Sequence, residues 1–213
     1  MTRTVLPLAF AAALVAPLPL GAHPHVFVDT EMTLSVDEEN RVTGVRMQWR
    51  YDEFITLLIL EDMGIDMDGD GVLTEEESAR LLGFDLSDWP EGFEGDLYVE
   101  RDGEKVEMPR PEAVSAKLEN GQLVSVQTRA IPPVPVEVFE LRQYDPTFYV
   151  QYTLAAVEVD KSECKPALTP ADPTEAEQFL AEQIDDPTAD PFAVVELGVH
   201  YSDLVKVTCA PSS

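Results

Sequence analysis

The sequence predicts a β-rich α+β fold: an antiparallel β-sandwich or sheet carrying an inserted helix-loop-helix and one further short helix. Three observations predict it. Apolar and polar residues alternate over much of the chain, Asp-Gly and Asn-Gly dipeptides interrupt that alternation where hairpins turn, and helical periodicity is confined to two insertions.

The elements follow in order. HVFVDTEMTLSV (25–36) and RVTGVRMQWRY (41–51) alternate and are separated by the polar DEEN, so they read as two strands and a turn. At 54–63 the period changes: Phe54, Leu57, Leu58, Glu61 and Asp62 fall as on a helix with one apolar side, and 75–82 reads as a second short helix. The two helices and the loop between them form an insertion at about 52–83. LYVERDGEKVEM holds a hairpin about Asp102-Gly103, and AVSAKLENGQLVSVQTRAI another about Asn120-Gly121. Further strands are expected at 136–141, 148–159 and 194–208. Between the last two, a Pro/Asp-rich stretch contains one helix at 174–184. No internal repeat or low-complexity tract is present.

The chain has 213 residues with 14 Lys+Arg against 41 Asp+Glu, a formal net charge of −27. A surface this negative repels phosphate backbones and anionic headgroups, so nucleic acid is excluded as a partner and direct lipid anchoring is not expected. The 45% hydrophobic content still provides a core, so the chain is not a disordered acidic tail. Residues 1–22, MTRTVLPLAFAAALVAPLPLGA, have the layout of a cleavable signal peptide: Arg3, an apolar run, a Pro-containing stretch and the small Ala22. The expected mature chain is then a single domain, 23–213, with a net charge of 13 − 41 = −28 once Arg3 is removed, and a periplasmic location. Cys164 and Cys209 are the only thiols, and in an exported chain they are expected to pair.

DMDGDGVLTEEE, residues 66–77, is the most specific signal. It fits the twelve-residue EF-hand calcium loop position by position: carboxylates at Asp66, Asp68 and Asp70, Gly71 at the sharp turn, the Val72 carbonyl, Thr74 through its hydroxyl or a water, and Glu77 at the twelfth place. Calcium takes six to eight hard oxygen ligands, and alternate residues of a tight loop can aim three carboxylates inward. A bidentate Glu77 suits Ca2+ better than the smaller Mg2+. A single such loop, unpaired with a second, reads as a structural clamp rather than a sensor.

The histidines make a separate case. Cleavage after Ala22 gives a mature start of HPHVFV, in which the His23 α-amine and imidazole can chelate one ion. His25 or His200 would add nitrogen, a donor set suited to Zn2+, Cu2+ or Ni2+. Pro24 lacks an amide proton, so the square-planar wrap of Cu(II) or Ni(II) around a free N-terminus with histidine third in line cannot form. His200 is expected in the last strand, beside the first. Asp29 and Glu31 share a strand face with His25 and Phe27, where carboxylates on so acidic a chain are expected to be solvated. YDPTFY (144–149) reads as a turn into an aromatic strand whose role is packing.

HPHVFVD directly after the leader, QWRYDEF leading to the DxDxDG loop, and YDPTFYV together resemble the DUF1007 family of exported bacterial proteins over about 23–209. The resemblance implies a periplasmic component of a transport system, similar to the periplasmic partner in a two-component zinc uptake system whose other part is a membrane permease of the nickel/cobalt type. It implies metal delivery (Zn2+, with Ni2+ or Co2+ as the related ions), with His23 and His25 at the matching positions. A long His-rich tract, found in some metal-transport relatives, is absent. The chain is too short and too β-rich for a two-lobed ABC solute-binding protein, so a substrate-binding label of that kind holds only loosely. No GxSxG, HExxH, P-loop or Cys/His nucleophile pattern occurs, and the chain is read as a non-enzyme. Two functions remain: a metal-binding accessory protein of a divalent-metal transporter, and a calcium-stabilised structural or protein-interaction module without transition-metal function.

Overall fold

A computed structural model describes residues 24–185 and 196–210; the expected signal peptide at 1–22 and His23 lie outside the described residues. The first hairpin joins β1 (Val26–Val36) to β2 (Arg41–Tyr51), pairing Val28 with Tyr51 and Leu34 with Val45. Its DEEN turn closes on Asp37, whose Oδ1 accepts the N–H groups of Glu39 and Arg41 at 3.0 and 2.9 Å. Val28, Thr30, Met32 and Leu34 point into the core while Phe27, Asp29 and Glu31 point out, the period-two alternation of a strand with one buried face.

α1 (Glu53–Met63) follows directly. Asp52 caps it by accepting the Ile55 N–H at 2.9 Å, and Gly64 ends it in the left-handed region, letting Ile65 N–H reach the Leu60 carbonyl at 2.9 Å. α2 (Glu75–Leu81) opens with a capping box in which Thr74 and Glu77 each accept from the other's backbone. β3 (Leu97–Arg101) and β4 (Glu104–Lys105) turn at Asp102-Gly103, and β5 (Glu112–Glu119) and β6 (Gln122–Pro135) turn at Asn120-Gly121, as their dipeptides predict. β7 (Phe139–Gln143), β8 (Val150–Val159), β9 (Cys164–Thr169), α3 (Pro173–Asp185) and β10 (Leu204–Cys209) complete the described elements.

The strands form two five-stranded sheets, β5-β6-β2-β1-β8 and β4-β3-β7-β10-β9. Met32, Leu34, Met47 and Leu123 of the first and Leu97, Phe139, Leu141 and Val205 of the second belong to one buried cluster. Full burial of such side chains contributes about 1.5–3 kcal/mol each, so this cluster between the sheets dominates the stability of the fold. Residues Leu123 to Gln127 of β6 are buried without alternation. At the start of that run, Thr56 of α1 accepts the Leu123 N–H at 2.9 Å in a buried contact, which ties the helix-loop-helix to the end of the first sheet.

The β-rich α+β class holds, with differences at particular elements. Every recorded strand pair is antiparallel except β1 with β8, which run parallel. The strand expected at 136–141 is a 3-10 turn at Val136–Val138 followed by β7, and β8 starts at Val150 because Phe148 takes a φ of 58° in the preceding turn. β9 was not anticipated. Of the strand expected at 194–208, the described part is strand only from Leu204 onward; Gly198–Tyr201 is a 3-10 turn. Cys164 and Cys209 are directly paired across β9 and β10 and form the expected disulfide, closing a sequence separation of 45. Among the described residues no helix is long and apolar enough to cross a membrane.

Candidate metal centre

The loop between α1 and α2 is built from local rules. Gly69 and Gly71 adopt φ values of 68° and 74°, so the chain reverses twice within the DxDxDG segment. The carboxylate of Asp66 accepts the Gly71 N–H with both oxygens at 3.2 Å, and Asp70 Oδ1 accepts the Val72 N–H at 2.7 Å. These bonds fold the aspartates toward one another. Ligand atoms of Asp66, Asp68 and Asp70 lie within 4.8 Å of each other, the one such group of three or more His, Cys, Asp or Glu among the described residues.

Glu77 closes the loop from its far end. Its Oε1 accepts the Asp66 N–H at 2.9 Å, and its Oε2 accepts the Thr74 N–H at 2.9 Å and the Thr74 hydroxyl at 2.7 Å. The hydrogen bonds from Thr74, backbone first, followed by that from Asp66, hold the Glu77 carboxyl below its usual pKa. Asp68, Asp70, Val72, Thr74 and Glu77 line one concavity of about 440 Å3. No ion pair among the described residues reaches Asp66, Asp68, Asp70 or Glu77. Oxygen-only donors with no direct ion pair, the Arg80 charge acting on Glu77 only as its smallest influence, fit a hard divalent ion and offer nothing to a soft one. Arg80, the lone cationic residue of α2, instead donates to the Met63 and Gly64 carbonyls and caps the C-terminus of α1.

Of the two described histidines, His200 is placed differently from expectation. His25 is exposed just before β1; its N–H donates to the Tyr149 carbonyl at 2.9 Å and its ring lies 4.9 Å from that of Tyr149. His200 lies in the 3-10 turn, not in a strand, with its ring 4.6 Å from Phe179 of α3. The strand that follows it, β10, does not pair with β1. β1 is flanked by β2 and β8, and β10 by β7 and β9 in the other sheet. His200 shares a concavity of about 500 Å3 with Arg142, Asp172 and Glu175 rather than with His25.

The family description "Protein of unknown function (DUF1007)" matches residues 8–209. The chain belongs to the DUF1007 family. A Haemophilus influenzae protein named "Uncharacterized protein" is 29% identical to this DUF1007 chain over 139 residues, covering 63% of the chain and 64% of that protein. The alignment thus spans just under two thirds of the relative's length.

Sequence reasoning missed a buried polar seam in this DUF1007 fold. Asp96, directly before β3, is 8% exposed and accepts the Tyr152 hydroxyl at 2.7 Å. Burial pushes its carboxyl up to about 7; the Tyr152 hydrogen bond opposes this and the negative charge of Asp145 adds to it. Asp85 is likewise raised by burial, while accepting from Ser125 Oγ at 2.5 Å and from Tyr51 Oη at 3.4 Å. Trp49 stands beside both tyrosines, 5.5 Å from Tyr152 and 6.5 Å from Tyr51 between ring centres. The readable signal was polar residues at inward strand positions: Thr30, Ser125, Gln127 and Gln143 are all buried.

Proposed function

We propose that the protein is an exported, calcium-stabilised module in which residues 66–77 hold one Ca2+ in the manner of an EF-hand, fixing the helix-loop-helix on the end of the first sheet. One observation carries this reading: Asp66, Asp68 and Asp70 converge within 4.8 Å at a loop turned by Gly71. Like charges so close repel, and a divalent cation converts that cost into binding energy. The Val72 carbonyl, Thr74 and Glu77 supply the remaining oxygens. A periplasmic location is supported by the Cys164–Cys209 disulfide, which suits an oxidising compartment. The lack of a nucleophile or catalytic metal motif supports a binding role rather than an enzymatic one.

The test is thermal unfolding of the mature chain in calcium and in chelator. An ion at 100 times its Kd stabilises by about 2.7 kcal/mol, so the melting temperature rises with calcium, and Asp66→Ala with Glu77→Ala abolishes the rise. An identical melting curve with and without chelator sinks this reading.

A second reading is favoured by the exposed position of His25 at the mouth of β1. In it, His23 and His25 bind Zn2+, Ni2+, Co2+ or Cu2+ for delivery to an inner-membrane permease, as the family resemblance implies. It is compatible with the first, because nitrogen and oxygen donors select different ions. Zinc calorimetry on the processed chain decides it: loss of affinity in His23→Ala with His25→Ala supports the role, and unchanged affinity removes it.

A further inference from the structure

α1 is apolar nearly all round, which in a soluble fold calls for burial on more than one face. Among the described residues the cover is partial. Thr56 and Leu60 are buried, yet Phe54 is 66%, Leu57 65% and Leu58 46% exposed. Beyond the calcium loop, Leu82 is 52% exposed. Of the eleven large hydrophobic side chains exposed among the described residues, six (Phe54, Leu57, Leu58, Met67, Val72 and Leu82) fall within 54–82. Apolar exposure concentrated on one lobe marks an interaction surface, whereas the same residues scattered singly would need no explanation.

Two of the six, Leu58 and Leu82, line a groove. Ile55, Leu58, Ile59 and Met63 of α1 form one wall, and Leu82 and Phe84 the other, enclosing about 510 Å3. The groove's own lining carries Asp62 and Arg80, and the lobe around it is strongly acidic. Leaving aside the inward-facing Asp85, nine acids stand between residues 53 and 86 (Glu53, Glu61, Asp62, Asp66, Asp68, Asp70, Glu75, Glu76 and Glu77) against Arg80 alone. Arg80 is already engaged with the α1 carbonyls. Asp62 lines the groove itself, and no ion pair reaches it among the described residues.

We infer that this groove docks a cationic amphipathic segment of a partner protein: an apolar helix face seated between α1 and the Leu82–Phe84 wall, with Lys or Arg on its flanks meeting the acidic lobe. Charge complementarity decides the occupant. An anionic membrane is repelled by the acidic lobe, and a second copy would bring two acidic lobes together, whereas a basic amphipathic helix satisfies both the apolar floor and the carboxylates. α1 has 11 residues, so its floor is roughly 16 Å long and matches about three turns of a docked helix. The site does not rest on the calcium reading, because Glu53, Glu61 and Asp62 lie outside the loop.

A fluorescent leucine/lysine amphipathic peptide of roughly four turns is the probe, titrated against the mature chain in calcium buffer and followed by anisotropy. Saturable binding is expected, and none for a leucine/glutamate peptide of the same pattern. Leu58→Glu with Leu82→Glu is expected to weaken binding about tenfold or more. Both residues are exposed, so the fold survives, which circular dichroism checks, and Leu58→Ser with Leu82→Ser repeats the loss without a charge change. Phe27→Glu, an exposed apolar residue on the outer face of β1, leaves binding unchanged. Nonspecific attraction predicts the reverse sign, since added glutamates would tighten a cationic peptide, and that result overturns the proposal. So does a sedimenting dimer that the double variant dissolves, which gives the groove to a second copy, or flotation with phosphatidylcholine vesicles that the variant abolishes, which gives it to lipid.

Discussion

Asp96→Asn is expected to make the protein more stable at neutral and alkaline pH and to leave it nearly unchanged in acid. The folded state raises the Asp96 pKa from 3.8 to about 7, chiefly by burial. Between these values the folded chain keeps a proton that the unfolded chain has released, so stability falls as pH rises. The Asp96 contribution is fully present below the unfolded pKa of 3.8 and is lost as pH climbs through about 7. The gap of roughly three units at 1.36 kcal/mol each gives a loss of about 4 kcal/mol by pH 8. Asparagine stays neutral, can still accept the Tyr152 hydroxyl, and tolerates the φ of 54° at this position. The assay is urea unfolding of both proteins from pH 4 to pH 8, read as the difference in free energy, which cancels the other carboxylates. A difference that grows toward pH 8 is expected; a flat one refutes the assignment of a buried, protonated Asp96.

Three further outcomes follow from packing and connectivity. Replacing Cys164 and Cys209 with serine removes a crosslink spanning 45 residues and is expected to cost about 4 kcal/mol, measured by urea midpoint with and without reductant. Gly198→Ala puts a Cβ 1.8 Å from the Asp145 carbonyl oxygen, so the 3-10 turn must move; a loss of about 2–3 kcal/mol and altered near-ultraviolet dichroism from the stacked Phe148–Tyr201 pair are expected, and a wild-type melting curve would contradict this. Thr56→Val strands the Leu123 N–H in a buried site and is expected to cost about 1–3 kcal/mol; a cost near zero would show that the helix-loop-helix is not tied to the sheet there.

The acidic loop was legible in the sequence because its donors, glycines and cap are all local: twelve consecutive residues carry the whole pattern. The hairpins at Asp102-Gly103 and Asn120-Gly121 were legible for the same reason. What failed was non-local. Whether the last strand joins the sheet of β1 or the other depends on which edges are already taken, and β8 takes the edge of β1 in parallel. His200 was misplaced accordingly, and Gly198 draws its segment onto the Asp145 carbonyl as a turn. β9 was missed because Pro166 interrupts a short, weakly alternating run; the proline is accommodated on an edge strand of the second sheet. The buried seam around Asp96 and Trp49 depends on how the two sheets face each other: polar residues at inward strand positions such as Thr30 and Ser125 were readable, but not which side chains they would meet.

Calcium calorimetry on the disulfide-bonded mature chain decides whether residues 66–77 hold a specific calcium ion. One ion per chain is predicted, with a Kd no weaker than about 10⁻³ M, the range of extracellular sites. Asp66→Asn with Glu77→Gln should abolish binding while preserving the strand signal in circular dichroism. Absence of saturable binding at millimolar calcium, or a binding curve that this double substitution leaves intact, would contradict the proposed site.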